Sequence, residues 1–388
     1  MTTLVYLLPI LTCLFLYSTS PVPLSWEYYA CAIGASWLLT ALVHWMMYKS
    51  RIADDEFLGS YISQVRHEEA WTELIHYVEQ VPCGKDRSGR IIYKSVPRVR
   101  HVYHPEQWEM ISSYGTIQSI SRSYYDHVCS TWGTPLNRLH FTGANIQGGV
   151  RFGQSCSFQD ILQGVQADSN PLLNDDFRSR FFPLTEQHAY ENKVRNSHSI
   201  FKFEEISSKR AKELGLFDYP PVKNNFQECI LGRQFSEDIH RQYEMFNAWF
   251  GFRHEMHVFI LCFDAAKGMG IAEKQRAYWE GGNRNEFIVC LGLNGNTVKW
   301  CHAFSWMDEP VLSVKTEAYF REHDQLDLSA YCTWMQENIS LWKRKNFHDF
   351  DYLTVSLSTT QNYLLLAFAL AVNVGIAAVV LHYINNAI

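Results

Sequence analysis

Every Lys and Arg of this 388-residue chain lies between Lys49 and Lys345, and the membrane-length apolar stretches lie only outside that interval. Residues 4–17, 28–48 and 363–384 are almost uncharged. A helix needs about 20 apolar residues to cross the hydrocarbon layer, a length that the second and third stretches meet. Residues 4–17, with Pro9 inside, are shorter and suit a spanning helix, an interfacial helix or the h-region of a signal peptide. Met1-Thr2-Thr3 lacks the cationic start of a signal peptide, which weighs against cleavage. If residues 4–17 cross, Ser18-Thr19-Ser20-Pro21-Val22-Pro23 turns them into a hairpin with the next helix, because its prolines cannot continue a helix.

Lys49 and Arg51 follow the second stretch, and Lys343, Arg344 and Lys345 precede the third, so the positive-inside bias puts the large middle region in the cytoplasm. The ten cysteines include no CxxC pair and read as reduced thiols, in keeping with that compartment. High aromatic content in the middle region argues against disorder. A net charge of -6 supplies no field for nucleic acid. The expected class is α+β / α/β: a transmembrane helical hairpin (1–48), a mainly antiparallel β domain (49–231), a mixed-sheet α/β sandwich domain (232–351) and a C-terminal transmembrane helix (362–385).

In the first soluble half, residues 71–81 and 90–103 read as paired strands around a turn at 84–89, and residues 108–112 and 116–120 as a second hairpin. A helix is expected from an N-cap at Ser121 to Trp132, stopped by Gly133. Strands near 138–142 and 149–152, a long excursion over 159–198 and a helix over 207–214 complete this half. His101 and His104, three apart on a strand, fall on opposite faces and make no ligand pair. Gly148-Gly149 reads as a tight turn.

The second half is more regular. A helix opens at Ser236, repeats Ile239, Tyr243, Phe246 and Phe250 at helical spacing, and is expected to end at Gly251. Buried strands at 256–263 and 287–293 flank a helix over 271–280, and a right-handed crossover makes them parallel. Asn294-Gly295 turns the chain into an antiparallel partner over 297–306, on which His302 reads as a satisfied core histidine. Helices over 314–322 and 327–345 follow.

Two groups of residues at the ends of this sheet could carry chemistry. At the carboxyl edge, Asp264, Lys267, Gly268, Gly270 and Asn294 surround a loop that leads into a helix N-terminus, where an anion could bind. Asp264 and Lys267 are the catalytic candidates there, and Gly268, Gly270 and Asn294 the ligand-binding ones. At the other edge, His254, Glu255, Glu286, Asp308 and Glu309 gather, and Glu255, Asp308 and Glu309 are hard oxygen donors suited to a divalent cation. No cofactor is otherwise expected. Lys343, Arg344 and Lys345 lie where they could meet anionic lipid headgroups.

The helix before Phe259-Ile260-Leu261, the Gly281-Gly282-Asn283-Arg284-Asn285 connector before Ile288-Val289-Cys290-Leu291, and the returning strand from Val298 give residues 236–345 the element order of a known family. In that order the segment resembles the TPM domain of thylakoid and membrane phosphatase-like proteins. The resemblance implies a membrane-tethered α/β domain, and for some members phosphatase activity. The family's glycine-rich sequence after the last strand is replaced here by Trp306-Met307-Asp308-Glu309-Pro310, so no catalytic residue carries over. Two functions are therefore set against each other. One is a membrane-anchored, cytoplasm-facing, non-enzymatic protein that binds lipid and a protein partner or its own copies; the other is a membrane-bound metal-dependent hydrolase.

Overall fold

Strand β1 (Ala53–Glu68) continues without a break from the helix Trp26–Ile52 and forms the spine of the first half. In this computed structural model, residues 2–19, 25–85, 87–162, 172, 174–197 and 203–387 are described; part of the expected 18–23 turn lies outside them. After β1 come β2 (Trp71–Lys85), β3 (Ile91–His104), β4 (Gln107–Ser112), β5 (Ile117–Ser119), β6 (Asn137–Thr142), β7 (Val150–Ser157) and β8 (Pro183–Glu191). The strand order is β5-β4-β1-β7-β6, all antiparallel, and β8 pairs with the first nine residues of β1. The helix Arg122–Trp132 forms as its sequence dictates: the Ser121 hydroxyl accepts from the Tyr124 amide, and Gly133 closes it in the left-handed region.

Both β1 and β8 escape the sequence pattern. They break alternation with Glu56, Ser60, Thr185 and Glu186, four polar residues that the pairing buries. The expected excursion over 159–198 is thereby corrected, since β8 occupies its second half.

The second sheet has the order β12-β11-β10-β9, built from β9 (Ile230–Leu231), β10 (His257–Asp264), β11 (Glu286–Asn294) and β12 (Thr297–Ser305). β9, β10 and β11 are parallel and β12 is antiparallel, with the crossover helix Gly270–Tyr278 between β10 and β11. β10 and β11 are buried along almost their whole length, as unbroken apolar runs covered on both faces should be. Ala211, Leu216, Cys229 and Ile230 belong to this core, so packing divides the body earlier than residue 232.

The helix Glu237–Phe246 serves both halves. Tyr243 and Phe246 enter the second core, while Met245, Ala248 and Trp249 enter the first beside Tyr61, Phe177 and Phe181. Gly251 does not end it. The chain passes through a π-turn, Asn247–Gly251, into Phe252–His254 and reverses at Glu255, whose φ is +51°. Glycine is needed here for proximity: a Cβ on Gly251 would lie 2.4 Å from the Met256 carbonyl oxygen, and one on Gly59 of β1 only 1.9 Å from that of Asn247. The Asn247 amide fills the seam by bonding both the N–H and C=O of Val258.

Two further expectations change. The helix over 327–345 stops at Asn338; after a 3-10 turn, residues 343–345 run extended beside 306–308, with Asp308 N–H donating to Lys343 and Lys345 N–H to Trp306. His302 is no core residue but a half-buried side chain that shares a 3.0 Å hydrogen bond with Glu317, while Glu273 approaches its other nitrogen to 3.0 Å without hydrogen-bond alignment.

Three helices from the chain ends, Thr2–Thr19, Trp26–Ile52 and Thr359–Ala387, pack into one bundle. The second and third are long and apolar enough to cross a membrane. Their contacts place Val5, Met47 and Leu365 at the body end and Leu16, Tyr29 and Ile384 at the other. Inside the bundle the Asn373 amide donates to Ser36 and to the Ala369 carbonyl, which satisfies a polar group that lipid could not.

The β2–β3 hairpin belongs to neither sheet. Its base is tied to the 143–149 turn through Leu74 N–H and Gln147 N–H, and from residue 75 to residue 101 nearly every side chain is exposed. At about 3.3 Å per residue it is an arm about 45 Å long.

Candidate functional site: a polar cavity under the helices and a free arm

The three parallel strands begin at a row of buried polar side chains. His257 and Glu286 are register partners, and Gln227 precedes Ile230 by as many residues as His257 precedes Ile260, the partner of Ile230. All three are almost wholly buried. The Glu286 carboxylate accepts from the Tyr219 hydroxyl, from Asn283 Nδ2 at 2.9 Å and from the Asn283 backbone N–H at 2.9 Å. The glycines of the 281–285 connector make that grip feasible. Gly282 has φ +79°, and a Cβ there would meet the Glu286 carboxylate at 2.8 Å.

Burial pushes the Glu286 carboxyl up to about 7, against the pull of its hydrogen bonds from Tyr219 and Asn283. Burial drives His257 the other way, down to about 3, so its ring is neutral at neutral pH. Both His257 ring nitrogens, Gln227 Oε1 and Asn285 Oδ1 have no hydrogen-bond partner. Left without water, each such orphan costs about 1–3 kcal/mol.

Tyr219 and Asn283 also form the floor of a cavity of about 1080 Å³. Its lip on the side of the apolar helices is Arg51, at the end of one of them, together with Ser358 and Thr359 at the start of another. Arg195 crosses one wall, paired with Asp54 at 3.2 Å and Glu280 at 2.8 Å. Beside the cavity, Arg284 grips the buried Glu56 through two 2.7 Å bonds and lies over the Tyr190 ring, tying the connector to β1.

The residues singled out by sequence lie elsewhere. Asp264 accepts from the Ala266 amide and caps a short turn; Lys267 donates to the Leu214 and Gly215 carbonyls at the end of the helix Ser208–Leu214. Gly268 and Gly270 stand in open space and Asn294 is exposed at the hairpin end. At the opposite edge, Glu255 pairs with Arg344, Asp308 with Lys345 and Glu309 with Lys343. The three carboxylates considered for a cation and the three cations considered for lipid thus neutralise one another. No cluster of His, Cys, Asp and Glu suited to a metal occurs among the described residues. Of the acidic edge only Glu286 adjoins the cavity, through the Tyr219 and Asn283 side chains that line it, and the sequence marks it as a lone carboxylate heading an otherwise apolar strand.

The arm is the other unusual surface. Pairing of Val78 with Pro97, His76 with Val99 and Pro82 with Tyr93 puts these on one face with Leu74, Gln80, Ser95, His101 and Tyr103, a face without Asp, Glu, Lys or Arg. The other face and the tip carry Lys85, Arg87, Arg90, Lys94, Arg98 and Arg100 against Glu73 and Glu79. No protein-family model, curated protein or solved structure matches this chain, whose reading therefore rests on its own geometry.

Proposed function

We propose that this protein is a membrane-anchored, non-enzymatic interaction protein whose cytoplasmic body presents the β2–β3 arm to a protein partner. The arm is the observation that carries this reading. A lone two-stranded hairpin is marginal in water, yet this one stands free with Val78 62%, Tyr93 56% and Tyr103 68% exposed. An uncharged face beside a cationic one suits a partner with an apolar surface rimmed by acids. Pro82 and Pro97 blunt the strand edges, so docking uses the face rather than strand addition.

Anchoring is supported by the apolar outer surface of the bundle, with Leu38 73% and Val374 69% exposed, a surface that water would not tolerate but lipid would. The positions of Lys49, Arg51 and Lys343–Lys345 support the cytoplasmic side by the positive-inside bias. The TPM-like order of residues 236–345 agrees with a tethered α/β domain. The hydrolase alternative gains nothing from the ion-paired acids at the sheet edge. Crosslinking in native membranes tests the proposal: the full chain should run as an assembly larger than its own mass, and replacing residues 75–101 by a short Gly/Ser turn should release a monomer. Finding the unaltered chain monomeric after crosslinking would refute it.

A further inference from the structure

The charges around the cavity fall into two groups. Asp54, Arg195 and Glu280 are satisfied by one another, Glu204 by Lys274, and Glu205 also has a partner, whereas Arg51 and Asp55 have no ion pair among the described residues. The Nε of Arg51 is buried without a hydrogen-bond partner. One cation and one anion are left to face the space. Arg51 shares its lip with the first turn of the helix Thr359–Ala387, where Ser358 and Gln361 cap each other reciprocally and the remaining amides add a positive end. Asp55, Tyr219 and Trp279 belong to the same lining. Such rings and a carboxylate together attract an ammonium group.

We propose that this cavity holds the headgroup of a zwitterionic phospholipid, its phosphate on Arg51 and the Thr359 helix start and its ammonium toward Asp55 and the aromatic rings. The proposal rests on the membrane-anchored reading, since it is the apolar helices that bring the lip to headgroup level. Size agrees: about 1080 Å³ accommodates a headgroup with part of its glycerol. Charge selects the class. An anionic lipid would satisfy Arg51 but set a second negative charge against Asp55 in a cavity whose lining acids already outnumber its cations.

The test is native mass spectrometry of the full chain released from nanodiscs containing equal phosphatidylcholine, phosphatidylethanolamine and phosphatidylglycerol. The wild-type chain should keep one of the two zwitterionic lipids over phosphatidylglycerol. Arg51→Gln should lower that retention about tenfold, the scale of one charge-assisted contact. Asp55→Asn, an exposed and conservative change that leaves folding intact, should erase the preference. Equal or greater retention of phosphatidylglycerol by the wild-type chain, or variants indistinguishable from it, would overturn the proposal. Displacement of the lipid by soluble glycerophosphocholine would reassign the site to a free metabolite. Carbonate extraction separates the failures: a chain released to the supernatant sinks the anchoring itself, whereas a chain retained in the membrane without bound lipid sinks only the cavity assignment.

Discussion

Two sets of strands in this molecule have similar composition and opposite fates. β10 and β11 carry Val, Ile, Phe and Leu inside two covering layers; β2 and β3 carry Ile, Val and Tyr in solvent. What separates them is the spacing of charge. The buried strands have carboxylates only at their ends, Glu286 and Asp264, whereas the arm alternates charged with uncharged residues and keeps one face clear. Burial on both faces demands a continuous apolar run, and a single docking face demands period two. The arm is thus written like a half-covered strand, yet nearly all of it stands exposed among the described residues.

The comparison breaks most visibly where the two halves are clamped. Arg284→Ala should leave the 2%-exposed Glu56 without its hydrogen-bonded counter-ion, with only the Arg344 guanidinium 3.5 Å away, and lower stability by about 3 kcal/mol. Arg98→Ala on the arm, whose pair with Glu79 is half exposed, should change stability by less than about 1 kcal/mol. Chemical denaturation in detergent checks both. Equal losses would mean that the arm is as integral as the core. Ile260→Ala, a fully buried site in β10, should cost about 2–5 kcal/mol in the same assay.

The pH dependence of the polar row sharpens the contrast next. Glu286 is raised from 4.5 to about 7, so its contribution is complete below 4.5 and is lost as pH rises to 7. His257 is lowered from 6.5 to about 3, so its contribution is present above 6.5 and is lost as pH falls toward 3. Between 4.5 and 6.5 the two slopes, each about 1.4 kcal/mol per pH unit, oppose each other and stability should be nearly flat. His257→Phe removes one of them, and melting temperature should then climb as pH drops from 7 to 4.5. A profile unchanged from the wild type would show that the row does not titrate as a buried pair.

Legibility followed the same division. The parallel pair, its crossover helix, the β2–β3 hairpin and the helix capped by Ser121 are written in local patterns of apolar spacing and cap residues, and each lies where those patterns put it. β1 and β8 are invisible locally because Glu56 and Glu186 are buried by partners far along the chain. Gly251 looks like a stop because glycine so often ends a helix, yet here it serves a close crossing by Met256. The site was hardest to read. Acids and cations counted separately as metal and lipid candidates turn out to be partners, and no local pattern shows that residues 343–345 lie beside 306–308. The cavity joins Arg51, Asp55, Tyr219, Asn283 and Thr359, which only the fold brings together.

The smallest expected effect is the most discriminating, because it makes one chemical change in two places. Val289→Thr puts a hydroxyl into a fully buried strand and should cost about 1–3 kcal/mol. Val99→Thr makes the same change on the arm, where Val99 is 46% exposed opposite His76, and should alter stability by no more than about 0.5 kcal/mol in the purified chain. In native membranes the second variant should nevertheless weaken the crosslinked assembly, since there the hydroxyl would enter an apolar interface. A loss above about 1 kcal/mol for Val99→Thr in the isolated chain would mean that the arm is already covered by the protein itself, and the reason for seeking a partner on that face would be gone.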